Sequence, residues 1–287
     1  MNLLKSVRML KRRALYRYEG PRKIRSDYRR FFGKELAEQP TTLTEKIAHR
    51  MIDLHRRDNP AFTRLADKIE VNDFVKKRVG ERYLLDIIWQ GTDPGAIPFD
   101  SLPDKCMAKT NHGSGFNHAL IRPFDRELAI RQLREWLRRN YYFVGREAQY
   151  LKIKRRILIQ PFIEEEDGAR PLDYRLWCFD GKPEFIQADD QAHSINPFFD
   201  TDWNRLPFSY RDYDFAGVIA RPSRLDEMLE VAAALSQGFD FVRVDLFNVR
   251  DRVIFGEMTF TPVVGKMRFM PEHWDRELGE KWRFQPA

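Results

Sequence analysis

Long apolar runs, cysteine-pair motifs, internal repeats and low-complexity tracts are all missing from this sequence of 287 residues. No stretch approaches the roughly 18 apolar residues that a bilayer-spanning helix needs. The opening residues, MNLLKSVRMLKRRALYRYEG, lack the continuous apolar centre of a secretory signal. The two cysteines, Cys106 and Cys178, have no CxxC spacing and sit in apolar strand-like runs. Buried thiols in a reducing cytoplasm are therefore expected, rather than a disulfide or a zinc site. His112 and His118 lack metal-ligand spacing and read as satisfied loop histidines. No Ser-His-Asp or Cys-His arrangement stands out, so no protein nucleophile is expected.

What is present is ordinary in composition and uneven in charge. Hydrophobic residues make up 43% and charged residues 32%, as in a globular chain with a sizeable core. The net charge is +7, with Arg and Lys crowded into residues 5–30 and 131–156. Such a surplus favours nucleic acid, a membrane surface or anionic small molecules. Zinc-finger, helix-turn-helix and RRM signatures are absent, which sets nucleic acid aside. Leu3, Leu4, Val7, Leu10, Ala14 and Leu15 stand near helical spacing among basic residues. A helix of this kind suits peripheral contact with the inner membrane or docking on the protein's own core, the second being favoured. Gly20-Pro21 is expected to break it.

Helices are predicted over 43–57, starting at Thr44-Glu45, and over 61–79, 125–139 and 223–236. Asp125 and Ser223 are the expected caps of the last two, with Leu128, Leu133, Trp136 and Leu137 facing inward on the first of them. Strands are predicted over 83–89, 105–109 and 156–163. A hairpin is predicted over 173–187 about Asp180-Gly181. The loop Asn111, His112, Gly113, Ser114, Gly115 has a composition suited to cradling phosphate through backbone N–H groups, with Lys109 just before it. It is not the P-loop pattern, because no Gly-Lys-Ser/Thr follows. Glu164–Asp167 reads on composition as a solvated turn, and residues 189–221 as irregular. Antiparallel hairpins alternating with single helices indicate an α+β fold.

One stretch organises the rest: Phe241–Val249, the polar turn Arg250-Asp251-Arg252, then Val253–Pro262. Arg243 and Asp245 share one face of the first strand, and Glu257, Thr259 and Thr261 one face of the second. A three-residue turn centred on Asp251 places Asp245 opposite Glu257 and Arg243 opposite Thr259, about 5 Å apart between Cβ atoms. A two-residue turn shifts the register by one and sends Glu257 to the other face. Two carboxylates that close repel unless one is protonated or a cation lies between them, and a hard divalent cation is one solution.

These residues resemble the Arg-x-Asp and Glu-x-Asn pattern of ATP-grasp ligases. More of the chain, roughly 43–282, is similar to the TupA-like ATP-grasp family of bacterial surface-polysaccharide and teichuronopeptide biosynthesis. The similarity is carried by Leu65–Lys68, Lys109–Gly115, Asn140–Glu147, Phe179–Pro183, Asp202–Asn204, Phe241–Leu246 and Phe255–Pro262. It implies an ATP-grasp fold, with two α+β subdomains gripping ATP between antiparallel sheets. The division implied is a basic helical segment at 1–42, a helical region at 43–104, and the two gripping subdomains at 105–165 and 166–287. The resemblance places Asp245 and Glu257 on Mg2+ (or Mn2+), with Thr259 as a third ligand where Asn is usual. It puts Lys68 and Lys109 on the phosphates, the loop 111–115 above them, and Gln160, Phe162 and Ile163 at the adenine hinge. Glu164 or a neighbour up to Asp167 would take the ribose, against the solvated-turn reading. Arg243 would face the transferred phosphoryl group, and Arg175, of Asp173-x-Arg175, a phosphate or the substrate carboxylate.

The activity implied is ATP-dependent carboxylate–amine ligation through an acyl phosphate. The basic surplus suits an anionic saccharide such as a uronic-acid residue as one partner, with an amine as the other. A kinase on the same grip is chemically close. A glycosyltransferase is the further alternative, because Asp200-Thr201-Asp202 spells a metal–nucleotide-sugar motif. The expected location is the cytoplasm, with peripheral membrane contact through the N-terminus as the alternative to its docking on the core.

Overall fold

The computed structural model describes residues 3–57, 59–190, 196–210 and 217–284, with side chains described at Tyr16 and from Tyr18 onward. The apolar positions picked out between Leu3 and Leu15 therefore lie outside the described side chains. Residues 191–195 and 211–216 of the irregular segment lie outside the description altogether.

In chain order the elements are α1 (Leu3–Phe32), α2 (Leu43–Arg56), α3 (Pro60–Ala66), α4 (Val71–Arg78), β1 (Trp89–Gly91), β2 (Lys105–Thr110), β3 (Asn117–Ile121), α5 (Arg126–Arg138), α6 (Tyr142–Gly145) and β4 (Ile157–Pro161). They continue with β5 (Asp173–Phe179), β6 (Lys182–Asp189), β7 (Phe198–Phe199), β8 (Ser209–Tyr210), α7 (Leu225–Ser236), β9 (Phe241–Val249), β10 (Arg252–Thr259), β11 (Phe269–Met270) and α8 (Trp274–Glu280). A four-stranded sheet has the order β1-β4-β2-β3 and a five-stranded sheet the order β10-β9-β5-β6-β7, with every pairing antiparallel. The fold is α+β.

Period-two alternation gives the five-stranded sheet two unlike faces. Leu176, Cys178, Ile186, Ala188, Val242, Val244 and Leu246 point to one side and pack with Met228, Val231 and Leu235 of α7. On the other side, Trp177, Phe179, Phe185 and Phe241 pack with Leu43, Ile47 and Met51 of α2 and with Ile24 and Tyr28 of α1. Further along that same side the residues turn polar, and the site lies there. The smaller sheet buries Cys106, Ala108, Ile157 and Ile159 against Ala129, Leu133 and Trp136 of α5. Its other side carries Lys109 and Gln160. Both cysteines are free and buried, as expected.

Several expectations about local structure are corrected. Helix α1 runs unbroken through Gly20-Pro21. A Cβ on Gly20 would stand 2.1 Å from the His55 ring, so the missing side chain lets α1 lie directly on α2, and Ile24 and Tyr28 carry it onto the core. Helix α2 begins at Leu43 under a capping box of Thr42 and Glu45 rather than at Thr44. The segment 61–79 is two helices, because Asp67 Oδ1 accepts the N–H groups of Ile69 and Glu70 and turns the chain between them. The strand expected over 83–89 is not formed: Tyr83 ends a short turn (Glu81–Tyr83), and strand β1 starts only at Trp89. Leu128 is exposed, with Ala129 taking the inward position. Helix α7 starts at Leu225 and is capped from a distance: Asn248 of β9 accepts the Arg224 N–H at 2.9 Å, and Ser223 bonds to the same side chain.

Candidate active site

The hairpin reaches the required register by a route that its turn alone does not predict. Arg250 and Asp251, at φ +46° and +58°, form a two-residue turn, and Arg252 pairs with Val249. Left regular, this ladder would set Gly256 opposite Asp245. A bulge between Phe255 and Glu257 takes Gly256 out of register, so Glu257 pairs with Asp245 and Thr259 with Arg243. A Cβ at Gly256 would lie 3.0 Å from the Asp245 carbonyl oxygen.

Arg243 holds both oxygens of Asp245 at 2.7 and 2.5 Å and donates to Thr259 Oγ1 at 3.2 Å. Thr259 donates to Glu257 Oε1 at 3.3 Å, and Lys68 Nζ meets Glu257 Oε2 at 2.6 Å. Burial works to raise the Glu257 pKa, but Lys68 and Arg243 hold it down at about 2. Asp245 is nearly closed off, and burial raises its pKa against the pull of Arg243. Arg175, directly across from Asp245 on β5, bonds Asp173 at 3.0 Å and Asp189 at 2.8 Å. Burial and the nearby Asp245 charge raise the Asp173 pKa, and its Oδ1 is buried without a hydrogen bond.

From the smaller sheet, Lys109 reaches toward this face and donates to Gln160 Oε1 at 3.2 Å. Burial, then the charge of Lys68, lowers its pKa to about 8. The phosphate-loop candidate divides in two. Asn111 is structural: its amide donates to Asp67 at 2.8 Å and Lys154 O at 2.9 Å, its carbonyl oxygen accepts from Arg156 N, and its own N–H goes to Arg156 O. Its carbonyl accepts the Lys68 N–H at 3.1 Å, fixing the two segments together. The His112 ring is buried and bonded to Arg139 O at 3.0 Å, so it too faces inward. Among the described residues, no backbone carbonyl takes the N–H groups of Gly113, Ser114 or Gly115, although Ser114 meets the Tyr141 hydroxyl through its backbone and side chain. The cradle is thus shorter than the sequence suggested. At the strand end, Phe162 lies under the Arg170 guanidinium and Glu164 pairs with Lys105 at 2.7 Å.

Sequence reasoning named Asn111, Glu147 and Thr261 within longer stretches but foresaw neither the Asp67–Asn111–Arg156 pivot nor the buried group formed by Glu147, Gln149, Tyr150 and Thr261. Burial and the Glu257 charge push the Glu147 carboxyl up to about 7, with Thr261 acting the other way. The Asp200-x-Asp202 motif is local structure: Asp200 accepts from Asp202 N, Asn204 N and Asn204 Nδ2. Among the described residues no three acidic, histidine or cysteine side chains form a closed metal cage. Asp245, Glu257 and Thr259 instead offer two carboxylates and a hydroxyl side by side. That hard, incomplete oxygen set fits a divalent cation sharing its shell with phosphates. Nor is any described helix long and apolar enough to cross a membrane.

No protein of curated function matches the sequence. Solved structures with similar coordinates include D-alanine–D-alanine ligase from Bacillus anthracis complexed with ATP, at 16% identity and a TM-score of 0.42, over 69% of this chain and 54% of that one. The ATP-grasp ligase PsnB with minimal precursor, Mg and ADP matches at 11% identity and 0.37, over 70% and 52%. The ADP complex of purK, N5-carboxyaminoimidazole ribonucleotide synthetase, matches at 9% and 0.43, over 76% and 51%. The chain spans about half the length of these proteins. The model of the family described as TupA-like ATPgrasp matches residues 45–283, and the chain belongs to that family.

Proposed function

We propose that the protein is an ATP- and Mg2+-dependent carboxylate–amine ligase that joins an amine to an anionic saccharide or another carboxylate. The observation that carries this reading is the polar face itself: Asp245, Glu257 and Thr259 side by side, with Lys68 on Glu257 and Lys109 above. In the reaction a substrate carboxylate oxygen attacks the γ-phosphorus and ADP leaves. The amine nitrogen then attacks the acyl carbon, phosphate departs, and the nitrogen gives up a proton as the amide forms. Such chemistry needs positioning and charge neutralisation more than a protein nucleophile.

In this reading the sheets of 105–165 and 166–287 are the two walls. Lys68 and Lys109 bind phosphate oxygens, and Gly113–Gly115 cover them with backbone N–H groups. Gln160, Phe162 and Ile163 border the adenine, with Glu164 or a neighbour on the ribose. Arg243 neutralises charge on the transferred phosphoryl group, and Arg175 orients the substrate carboxylate. Asp245, Glu257 and Thr259 would hold Mg2+, which when bound neutralises charge on the β- and γ-phosphates. To take it, Glu257 must exchange its Lys68 contact, and Asp245 part of its Arg243 contact. The basic surplus of +7 supports an anionic acceptor, and a surface-polysaccharide precursor is the substrate class favoured.

The test is nucleotide accounting. Purified protein with ATP, Mg2+, uronic acids and amino acids should release ADP and free phosphate together. ADP without phosphate would identify a kinase. UDP from a UDP-sugar with no need for ATP would overturn the reading.

A further inference from the structure

Glu147, Gln149 and Thr261 meet in the interior beside the polar face, from segments 114 positions apart. Glu147 lies between α6 and the 148–150 turn, and Thr261 lies two residues beyond the end of β10. Thr261 Oγ1 donates to Glu147 Oε1 at 2.6 Å, and Gln149 Nε2 donates to Thr261 Oγ1 at 2.8 Å. A threonine hydroxyl has one proton. With that proton on Glu147, Thr261 can only accept from Gln149, so the amide must present its nitrogen there. This fixes Gln149 Oε1 on the other side, where it is buried without a donor although the residue is only 3% exposed.

The trio therefore ends in acceptors. Among the described residues Glu147 makes no ion pair. Arg243, whose charge it feels, already holds both Asp245 oxygens, and the other charge that Glu147 feels is that of Glu257, an anion. A buried carboxylate without a cation is costly, and burial accordingly pushes the Glu147 carboxyl up to about 7. What the site lacks is a cation that brings donors and no acceptors. A primary ammonium carries three donors and no acceptor. Gln149 Nε2 also donates to Glu147 Oε1 at 3.4 Å, so the amide lies against the carboxyl and its unpartnered oxygen is one amide width from the pair. A hard metal ion fits less well, since it wants six or more oxygens and Thr261 is occupied.

We propose that Glu147 and Gln149 form the seat for the amine substrate, holding its ammonium next to the Arg243–Glu257 end of the site. This rests on the ligase reading, and it favours a primary amine, whose ammonium has three donors, over a secondary one with two.

Calorimetric titration of the full chain tests it, in the presence of Mg2+ and a non-hydrolysable ATP analogue. The probes are ethylamine, ethanolamine and glycine, with tetramethylammonium as the control. At least one primary amine should bind saturably and the control should not. Glu147→Gln should weaken that binding about tenfold or more. Gln149→Met keeps the carboxylate, serves if the first variant does not fold, and should weaken it about threefold. Both variants should bind the ATP analogue as the unmodified chain does. Primary amines binding equally to both variants, or none binding to the unmodified chain while the analogue does, would overturn the amine seat alone. Failure of the analogue itself to bind would overturn the ligase reading beneath it.

Discussion

The ammonium of Lys68 lies 2.6 Å from the carboxylate of Glu257, a residue 189 positions further along the chain. That contact ties the turn between α3 and α4 to the last long strand. It also keeps ionised the carboxylate on which the proposed metal site depends. Lys68 is itself set by its neighbours: Asp67 turns the chain and Asn111 receives the Lys68 N–H.

The two carboxylates of the hairpin should respond differently to neutralisation. Glu257→Gln should leave the protein folded and cut ATP turnover to below about one-hundredth, as for loss of a group acting on developing charge. Asp245→Asn removes one partner of a closed-off ion pair and should cost stability too, about 3–5 kcal/mol. Urea unfolding and ADP release, measured on both variants, separate the two effects. The Glu257 pKa is depressed, so its stabilising contribution is complete above the ordinary carboxylate range. It is lost as pH falls toward about 2. Thermal unfolding of wild type and Glu257→Gln should therefore converge in acid.

Gly256→Ala should destabilise by about 1–3 kcal/mol, because the added methyl group presses on the Asp245 backbone oxygen at 3.0 Å and on the Phe247 ring at 3.2 Å. Since the pressure falls on Asp245, turnover should drop as well. Denaturant midpoints and steady-state rates check both.

Nucleotide binding should weaken as pH rises through about 8, where Lys109 loses its proton. The sign for stability is opposite. Between pH 8 and the ordinary lysine range the unfolded chain holds a proton that the folded chain has released, so stability rises with pH there. Bound phosphates will raise the transition, and Lys109→Arg should flatten the binding profile. Affinity for the ATP analogue across pH 6.5–9.5, about three units around the transition, decides it.

Gly20→Ala sets two known effects against each other. In a free helix alanine gains about 1 kcal/mol over glycine. Here its methyl group would stand 2.1 Å from a His55 ring pinned by Met51 and Tyr142, and such overpacking costs about 1–3 kcal/mol. The net change should be a lower melting temperature, read by circular dichroism.

The strands were legible because alternation is local: Arg243 and Asp245 interleaved with Val242, Val244 and Leu246 can be read from the letters alone. The register of the hairpin was right for the wrong reason. Arg250-Asp251 closes in two residues, and Gly256 restores the pairing that a three-residue turn would have given directly. What stayed hidden depends on distant partners. Asp67 reads as an ordinary helical acid until Asn111 and Arg156 arrive from the other sheet. Ser223 looks like a cap until Asn248 takes that role. Glu147 and Thr261 are common residues in their own segments and become unusual only when they meet. In the glycine loop His112 is bonded as expected, its ring on Arg139 O, whereas Asn111 was overvalued because composition shows which groups are present and not which are already bonded.

The displaced Gly256 also sets a rule for how substitutions will be tolerated along the strand. Before it, the odd-numbered positions Val253 and Phe255 face the packed interior; after it, the even-numbered Met258 and Phe260 do. Ile254, between the first two, is also buried; a comprehensive substitution scan should therefore show apolar preference at all three positions before Gly256, and after it at the even-numbered positions only. Removing that one glycine would leave a regular ladder in which Glu257 still faces Asp245. A natural relative one residue shorter here could thus keep the same site.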